Sequence, residues 1–212
     1  MFCYTTEIID NLEKSISPDR LATYLQETGN NKENALKLYL WDTDISSAFY
    51  PPLQNLEITL RNALHRELTK LYGCDDWYDL APLNLGGQKK IKNAKEMVKK
   101  LHMTINPPHV VAELAFGFWL SLLNKKYHQD LWIPCLNKAF PNARMKRADI
   151  VRDLDHLRTF RNRIAHHEPI FKRHLEQDYK SIITAIKWIC PDTSKWTYEH
   201  NIVEEILLCK PV

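Results

Sequence analysis

Glycine is scarce in this 212-residue chain while proline is not: five Gly stand against eleven Pro. The hairpins of a many-stranded sandwich or barrel draw on Gly-rich turns, and too few glycines are present to supply them. Proline instead punctuates helices, because it suits the first helical turn and disfavours helical geometry in the residue before it. The prolines here fall between stretches of 3.6-residue apolar periodicity, and no convincing run alternates as a strand. The chain therefore reads as all-α.

Ser17-Pro18-Asp19 offers an N-cap followed by proline, and Gly29 a natural stop, which predicts a helix over 18–28. A second helix begins near Asn31 and a third segment runs from Asp44 to Phe49, where Pro51-Pro52 is expected to impose a corner or kink. Leu53, Leu56, Leu60, Leu64, Leu68 and Leu71 then recur at steps of three and four up to Gly73, with Glu57, Arg61 and His65 on a neighbouring face. Residues 73–87 read as a loop. Residues 88–102 read as a helix whose six lysines form a solvated face around Ile91, Ala94, Val98 and Leu101. Asn106-Pro107-Pro108 is expected to start one long apolar helix through HVVAELAFGFWLSLLN, with Gly117 permitting close packing. Further helices are predicted at 127–139, 147–167, 173–190 and 198–208. The expected architecture is a single-domain helical bundle of about eight helices over 1–212, with residues 1–30 as an N-terminal helical extension.

No apolar run approaches the length of a membrane span, and the first residues lack the basic and apolar regions of an export signal. Five scattered cysteines without a CxxC pair suit neither a disulfide framework nor a zinc site. The expectation is a cytoplasmic protein with reduced thiols and no cofactor. Net charge is only +3, but residues 138–173 hold ten Lys/Arg against four Asp/Glu, so the positive field is gathered in one segment.

That segment contains DIVRDLDHLRTFRNRIAHHEPIF, residues 149–171. Ile150, Leu154, Leu157, Phe160 (or Arg161) and Ile164 make its buried stripe, and Arg152, Asp155, Arg158, Asn162, Arg163 and His166 face outward. Pro169 requires the helix to end close to His166-His167. Arg161 and His166 lie about 140° apart around an ideal helix, and Asn162 and His166 share a face. An Arg, an Asn and a helix-terminal His are suited to a phosphodiester: guanidinium forks two oxygens, the amide fixes phosphate or imidazole, and imidazole moves a proton near neutral pH. No Asp/Glu cluster is arranged for Mg²⁺. On spacing alone such a helix is more commonly a solvated face, ion-paired to Asp153 and Asp155, with His167 as a cap and Glu168 as a partner for an arginine.

RNRIAHHEPIF resembles the RxxxxH motif of the HEPN ribonuclease superfamily, in the form Arg161-Asn162-x-x-x-His166. More closely, AFYPPLQNLEITLRNALH (48–65), VVAELAFGFWLSLL (110–123), LRTFRNRIAHHEPIF (157–171) and the tail at Trp188–Pro191 resemble the Abi-like family of bacterial abortive-infection proteins, over residues 40–191. The resemblance implies an α-helical homodimer with two facing motifs, metal-independent cleavage of RNA to 2′,3′-cyclic phosphate ends, and a toxin's role in antiviral defence. Carried over, Arg161 binds the phosphate, His166 is the acid–base residue and Asn162 orients it. Glu57, Arg61 and Asn62 match polar positions directed toward the motif, and Arg158 and His167 support it. Arg61–His65 is one residue short of a second motif. The family pattern leads one to expect Trp-Asn where this chain has Trp41-Asp42, a change that bears on a hydrogen bond or an RNA contact. Restraint by an antitoxin protein or a cognate RNA is also implied. The competing reading is a non-catalytic RNA- or nucleotide-binding module of a defence complex. A third reading makes the motif helix only a dimer seam. Tyr50, Trp77, Trp119 and Phe171 are the candidate platforms for stacked bases.

Overall fold

The computed structural model describes residues 2–211, and among them it holds ten α-helices joined by short 3₁₀ and π turns, with no strand. The chain begins with α1 (Thr6–Ile16) and α2 (Pro18–Glu27), the latter capped by Ser17 with Pro18 in its first turn. Next comes α3 (Lys32–Tyr72), 41 residues long, which is the axis of the bundle. Then follow α4 (Leu85–Lys100), α5 (Pro107–Ala112), α6 (Phe116–Leu122), α7 (Arg147–Ala165), α8 (Leu175–Ile189), α9 (Pro191–Glu199) and α10 (Val203–Leu208). No helix among the described residues is long and apolar enough to cross a membrane.

The expected corner at Pro51-Pro52 is absent, because α3 continues through both prolines. Each proline removes the N–H that would bond the carbonyl four residues back. For Pro52 that carbonyl is Ala48's, and the Asn201 side-chain amide donates to it at 3.3 Å. A distant side chain thus replaces the lost backbone donor. Downstream, Leu53, Leu56, Leu60, Leu64 and Leu68 are all buried, as their spacing predicts, whereas Leu71 in the last turn is exposed, and Gly73 ends the helix in left-handed geometry at φ 74°.

Three other expectations are corrected. The long apolar helix from Pro107 is two helices, broken between Ala112 and Phe116. There, Glu57 of α3 reaches across and accepts the Phe116 backbone N–H at 3.0 Å, so a carboxylate supplies the cap that starts α6. A Cβ built on Gly117 would meet only the Arg158 Cδ at 3.7 Å, ordinary contact, so the glycine is not required for close packing. Residues 127–139 form 3₁₀ and π turns around Pro134, not an α-helix, and residues 198–208 belong to the end of α9 and to α10. These divisions give ten helices where about eight were expected. Helix α4 starts three residues early, at Leu85, under an Asn84 cap. Five of its six lysines are exposed, and the half-buried Lys95 pairs with Asp79 at 2.7 Å.

Candidate functional site

Helix α7 carries the Arg-Asn-x-x-x-His run. Its inner stripe is as predicted, with Ile150, Leu154, Leu157, Phe160 and Ile164 buried. Phe160 sits edge-to-face on Phe49 of α3 at 4.9 Å between ring centres, which fixes the rotation of α7 against the axis helix. With Phe160 turned inward, Arg161 falls at the margin of the α3–α7 contact, and Asn162 stands beside it, half-buried.

The end of α7 is a Schellman turn. The N–H of His167 bonds the Ile164 carbonyl at 3.0 Å, and the N–H of Glu168 bonds the Arg163 carbonyl at 2.9 Å. His167 takes the left-handed position with φ 56°, where glycine is usual. An ion pair between Arg163 and Glu168 at 3.2 Å spans the positions at which such turns commonly place an apolar contact. Arg20 of α2 donates to the His167 carbonyl. His167 therefore serves the helix end through its backbone. His166, one residue earlier, leaves its imidazole exposed and without a hydrogen bond among the described residues.

Two cavities meet at Arg161. One, of about 250 Å³, is walled by Gln54, Glu57 and Arg61 of α3, by Arg161, and by the chain between α5 and α6. The other, of about 450 Å³, is walled by Arg20, Thr43, Ser46, Ser47, Arg161 and Glu168 among others. Tyr50, Ile164 and Ala165 line both. A larger cavity of about 620 Å³ lies elsewhere, between Trp41, Phe171 and the start of α8; it includes the candidate platform Phe171 but none of Arg161, Asn162 and His166.

Glu57 sits between helices with both oxygens engaged: one caps α6, and the other lies 3.6 Å from the Arg161 Nε. That separation is an ion pair without a short hydrogen bond, so the rest of the Arg161 fork stays free. Arg61 lines the same cavity, its Nε held by the Asn62 side chain at 3.2 Å. Asn62 itself is exposed, and Arg158 is paired to Asp155 on the outer face of α7 at 2.9 Å. The structure thus brings Arg161, Glu57 and Arg61 together, while Asn62, Arg158, Asn162 and His166 stand outside the walls of both cavities. The side chains of Arg161, Asn162 and His166 make no hydrogen bond to one another within the described chain.

His65, which closes the short second run, accepts the Trp77 indole N–H on Nδ1 at 2.9 Å. Indole can only donate, so Nδ1 carries no proton. Burial chiefly holds the His65 imidazole below its ordinary range, with Arg61 adding to the shift and Asp75 opposing it. This histidine is a structural acceptor.

Asp42 is buried. One oxygen accepts the Tyr24 hydroxyl at 2.7 Å and the other the Ile170 N–H at 3.1 Å. The carboxylate ties α2 and the segment after α7 to α3. An amide there would put an NH₂ donor, which can accept from neither group, in place of one of these two oxygens. Burial pushes the Asp42 carboxyl above the usual carboxylate range, against the lowering influence of these hydrogen bonds. Its role is to hold the segment beyond the motif helix in place. Asp178 is a second buried carboxylate, gripped by both ends of the Arg173 fork at 2.8 and 2.9 Å and by His156 at 2.9 Å, which staples α8 to α7.

The field of the basic segment is weaker than its composition implies. Glu57, Glu27 and Asp178, all from outside residues 138–173, pair with Arg161, Lys172 and Arg173. Among the described residues no group of three or more His, Cys, Asp or Glu side chains is placed to hold a metal ion.

Gln54, Tyr50 and Arg20 join the cavity walls although the sequence reading does not assign them there. The signal for the first two is a polar stripe at helical spacing, Thr43, Ser47, Tyr50, Gln54, Glu57 and Arg61, which becomes visible once α3 is known to pass through Pro51-Pro52.

The chain is an all-α bundle in which Arg61 and Arg161 line one cavity and His166 is exposed at the end of α7. A family model described as Abi-like protein matches residues 10–172, and the chain belongs to that family, which points to abortive-infection defence. The matched stretch starts within α1 and stops just past the segment that Asp42 anchors. No curated protein and no solved structure matches the chain.

Proposed function

We propose that the protein is a metal-independent endoribonuclease of the toxin type, with Arg161 and His166 as its catalytic residues in the HEPN manner. The observation that carries this reading is the end of α7, where an exposed, unpartnered imidazole follows an arginine whose fork is only partly engaged, beside a cavity lined by a second arginine. Arg161 grips the non-bridging oxygens of a phosphodiester, and Arg61 adds positive potential. The His166 imidazole takes the proton of a 2′-hydroxyl as its oxygen attacks phosphorus. The bond to the 5′-oxygen breaks, that oxygen receives a proton from an imidazolium, and the products are a 2′,3′-cyclic phosphate and a 5′-hydroxyl.

Within one chain the three motif side chains are not linked by hydrogen bonds. A second copy, setting its own motif against the first, completes the site in this reading and supplies the second imidazole. Asn162 orients the imidazole in that assembly. An antitoxin protein or a cognate RNA that covers the cleft would restrain the activity.

The test is incubation of purified protein with cellular RNA in EDTA. Wild type is expected to produce fragments with cyclic phosphate ends, and His166→Ala to leave RNA bound and uncut. RNA that stays intact with wild type but is still bound assigns the protein to the non-catalytic binding class.

A further inference from the structure

We propose that the cavity on the Arg20 side of Arg161 seats one nucleoside of a single-stranded RNA, whose base stacks on Tyr50. The proposal rests on the ribonuclease reading above and adds to it the residue that receives a base.

Of the four candidate platforms, Trp77 and Trp119 are 0% exposed and Phe171 is 2% exposed, all within the core, whereas Tyr50 is 60% exposed. Tyr50 lines both cavities that meet at Arg161, so a base lying on its ring is adjacent to a phosphate held by that arginine. Pro51 and Pro52 follow it directly in an unbroken helix, so its backbone is confined and little conformational freedom is lost when a base settles on the ring.

The cavity beyond the ring is chemically matched to a nucleoside. Hydroxyls of Ser46 and Ser47 line it, each able to donate or accept toward ribose hydroxyls and base edges, and the Thr43 hydroxyl, which donates to the Tyr39 carbonyl at 3.0 Å, can still accept. Pro51 also withdraws the N–H that would bond the Ser47 carbonyl, leaving that acceptor without its helical donor beside the cavity. The carboxylates nearby are already engaged, Asp42 by Tyr24 and Ile170 and Glu168 by Arg163, while Arg20 and Arg161 add positive charge at the rim. A volume of about 450 Å³ has room for one base and its sugar. Single-stranded recognition commonly combines such parts: a cation for the phosphate, an aromatic face for the base, and hydroxyls for its edge.

The experiment uses full-length protein carrying His166→Ala, so that RNA is bound without being cut, and a fluorescein-labelled single-stranded RNA octamer followed by polarisation. Tyr50→Ala in that background is expected to weaken binding about 5- to 150-fold, the range for losing one stacked base, and Tyr50→Phe to keep it within about threefold. A series of octamers, each with one abasic position, adds the specific readout. One position is expected to cost the Tyr50 protein the same factor and the Tyr50→Ala protein nothing. Equal affinity of the Tyr50 and Tyr50→Ala proteins, or losses that multiply at every abasic position, overturns the proposal and leaves the ribonuclease reading intact. A change in oligomeric state of Tyr50→Ala by light scattering also overturns it, by assigning the ring to an interface. Failure of the His166→Ala parent to bind RNA at all overturns both.

Discussion

Two runs of nearly the same letters, Arg61-Asn62-Ala63-Leu64-His65 on α3 and Arg161-Asn162-Arg163-Ile164-Ala165-His166 on α7, end in histidines of opposite character. His65 lies in the body of a 41-residue helix, where the next turn continues over it and Trp77 packs against it. Its Nδ1 is occupied by the indole, and burial disfavours its charged form. His166 lies at the end of its helix, which stops at the Schellman turn ahead of Pro169, and nothing covers its ring. One added residue and one helix terminus separate a structural acceptor from an exposed imidazole with no hydrogen-bond partner among the described residues. Residue type alone does not distinguish them.

The largest effect expected from this contrast is on cleavage. His166→Ala should lower RNA cleavage by on the order of 10²- to 10⁴-fold, the usual worth of a positioned acid–base group. Its melting temperature should not change, since the side chain is exposed and has no partner. His65→Leu should do the reverse: cleavage is retained, and the stranded Trp77 N–H costs about 1–3 kcal/mol of stability, read by denaturant titration. Cleavage lost in His65→Leu at temperatures where it stays folded would break the contrast.

Acidification sharpens the same comparison. A histidine whose folded-state value lies below its ordinary 6.5 binds a proton more readily when unfolded, so its contribution is complete above 6.5 and is lost as pH falls through the folded value. The stability gap between wild type and His65→Leu should therefore narrow between about pH 7.5 and pH 5.5. A gap that stays constant over that range would mean that Nδ1 of His65 is not held unprotonated by Trp77.

Much of the motif helix was legible because its determinants are local. Ile150 to Ile164 keep one period, Pro169 lies within a few residues of the end it enforces, and Glu168 finds its arginine five positions away. What escaped depends on groups far along the chain. Pro51-Pro52 stays helical with the help of Asn201, about 150 residues later, and Asn201→Ala is expected to cost about 1–3 kcal/mol by stranding both the Ala48 carbonyl and the Val203 N–H that the same side chain accepts at 2.7 Å. The break before Phe116 is set by Glu57 and the burial of Asp42 by Tyr24 and Ile170, and no local pattern announces either. The error at Pro51-Pro52 also hid part of the candidate site. A corner there divides the polar stripe that runs from Thr43 to Arg61, and with it the connection between Tyr50 and the residues around Arg161.

The smallest effect concerns the carboxylate that faces Arg161. Glu57 does two things at once, capping α6 with one oxygen and lying 3.6 Å from Arg161 with the other. Glu57→Gln separates them, because the amide oxygen can still accept the Phe116 N–H while the charge facing Arg161 is gone. Stability should change by less than about 1 kcal/mol, as for other partly exposed ion pairs. RNA, no longer competing with a carboxylate for the guanidinium, should bind about two- to fivefold more tightly in the His166→Ala background. The slope of log affinity against log salt should also steepen, by up to about 0.7 if one more phosphate is neutralised. Glu57→Ala, which removes cap and charge together, should match the gain in affinity but lose about 1 kcal/mol of stability. If Glu57→Gln instead weakens RNA binding, the carboxylate positions Arg161 for the phosphate, and the arginine's partial freedom is not what distinguishes it from Arg61.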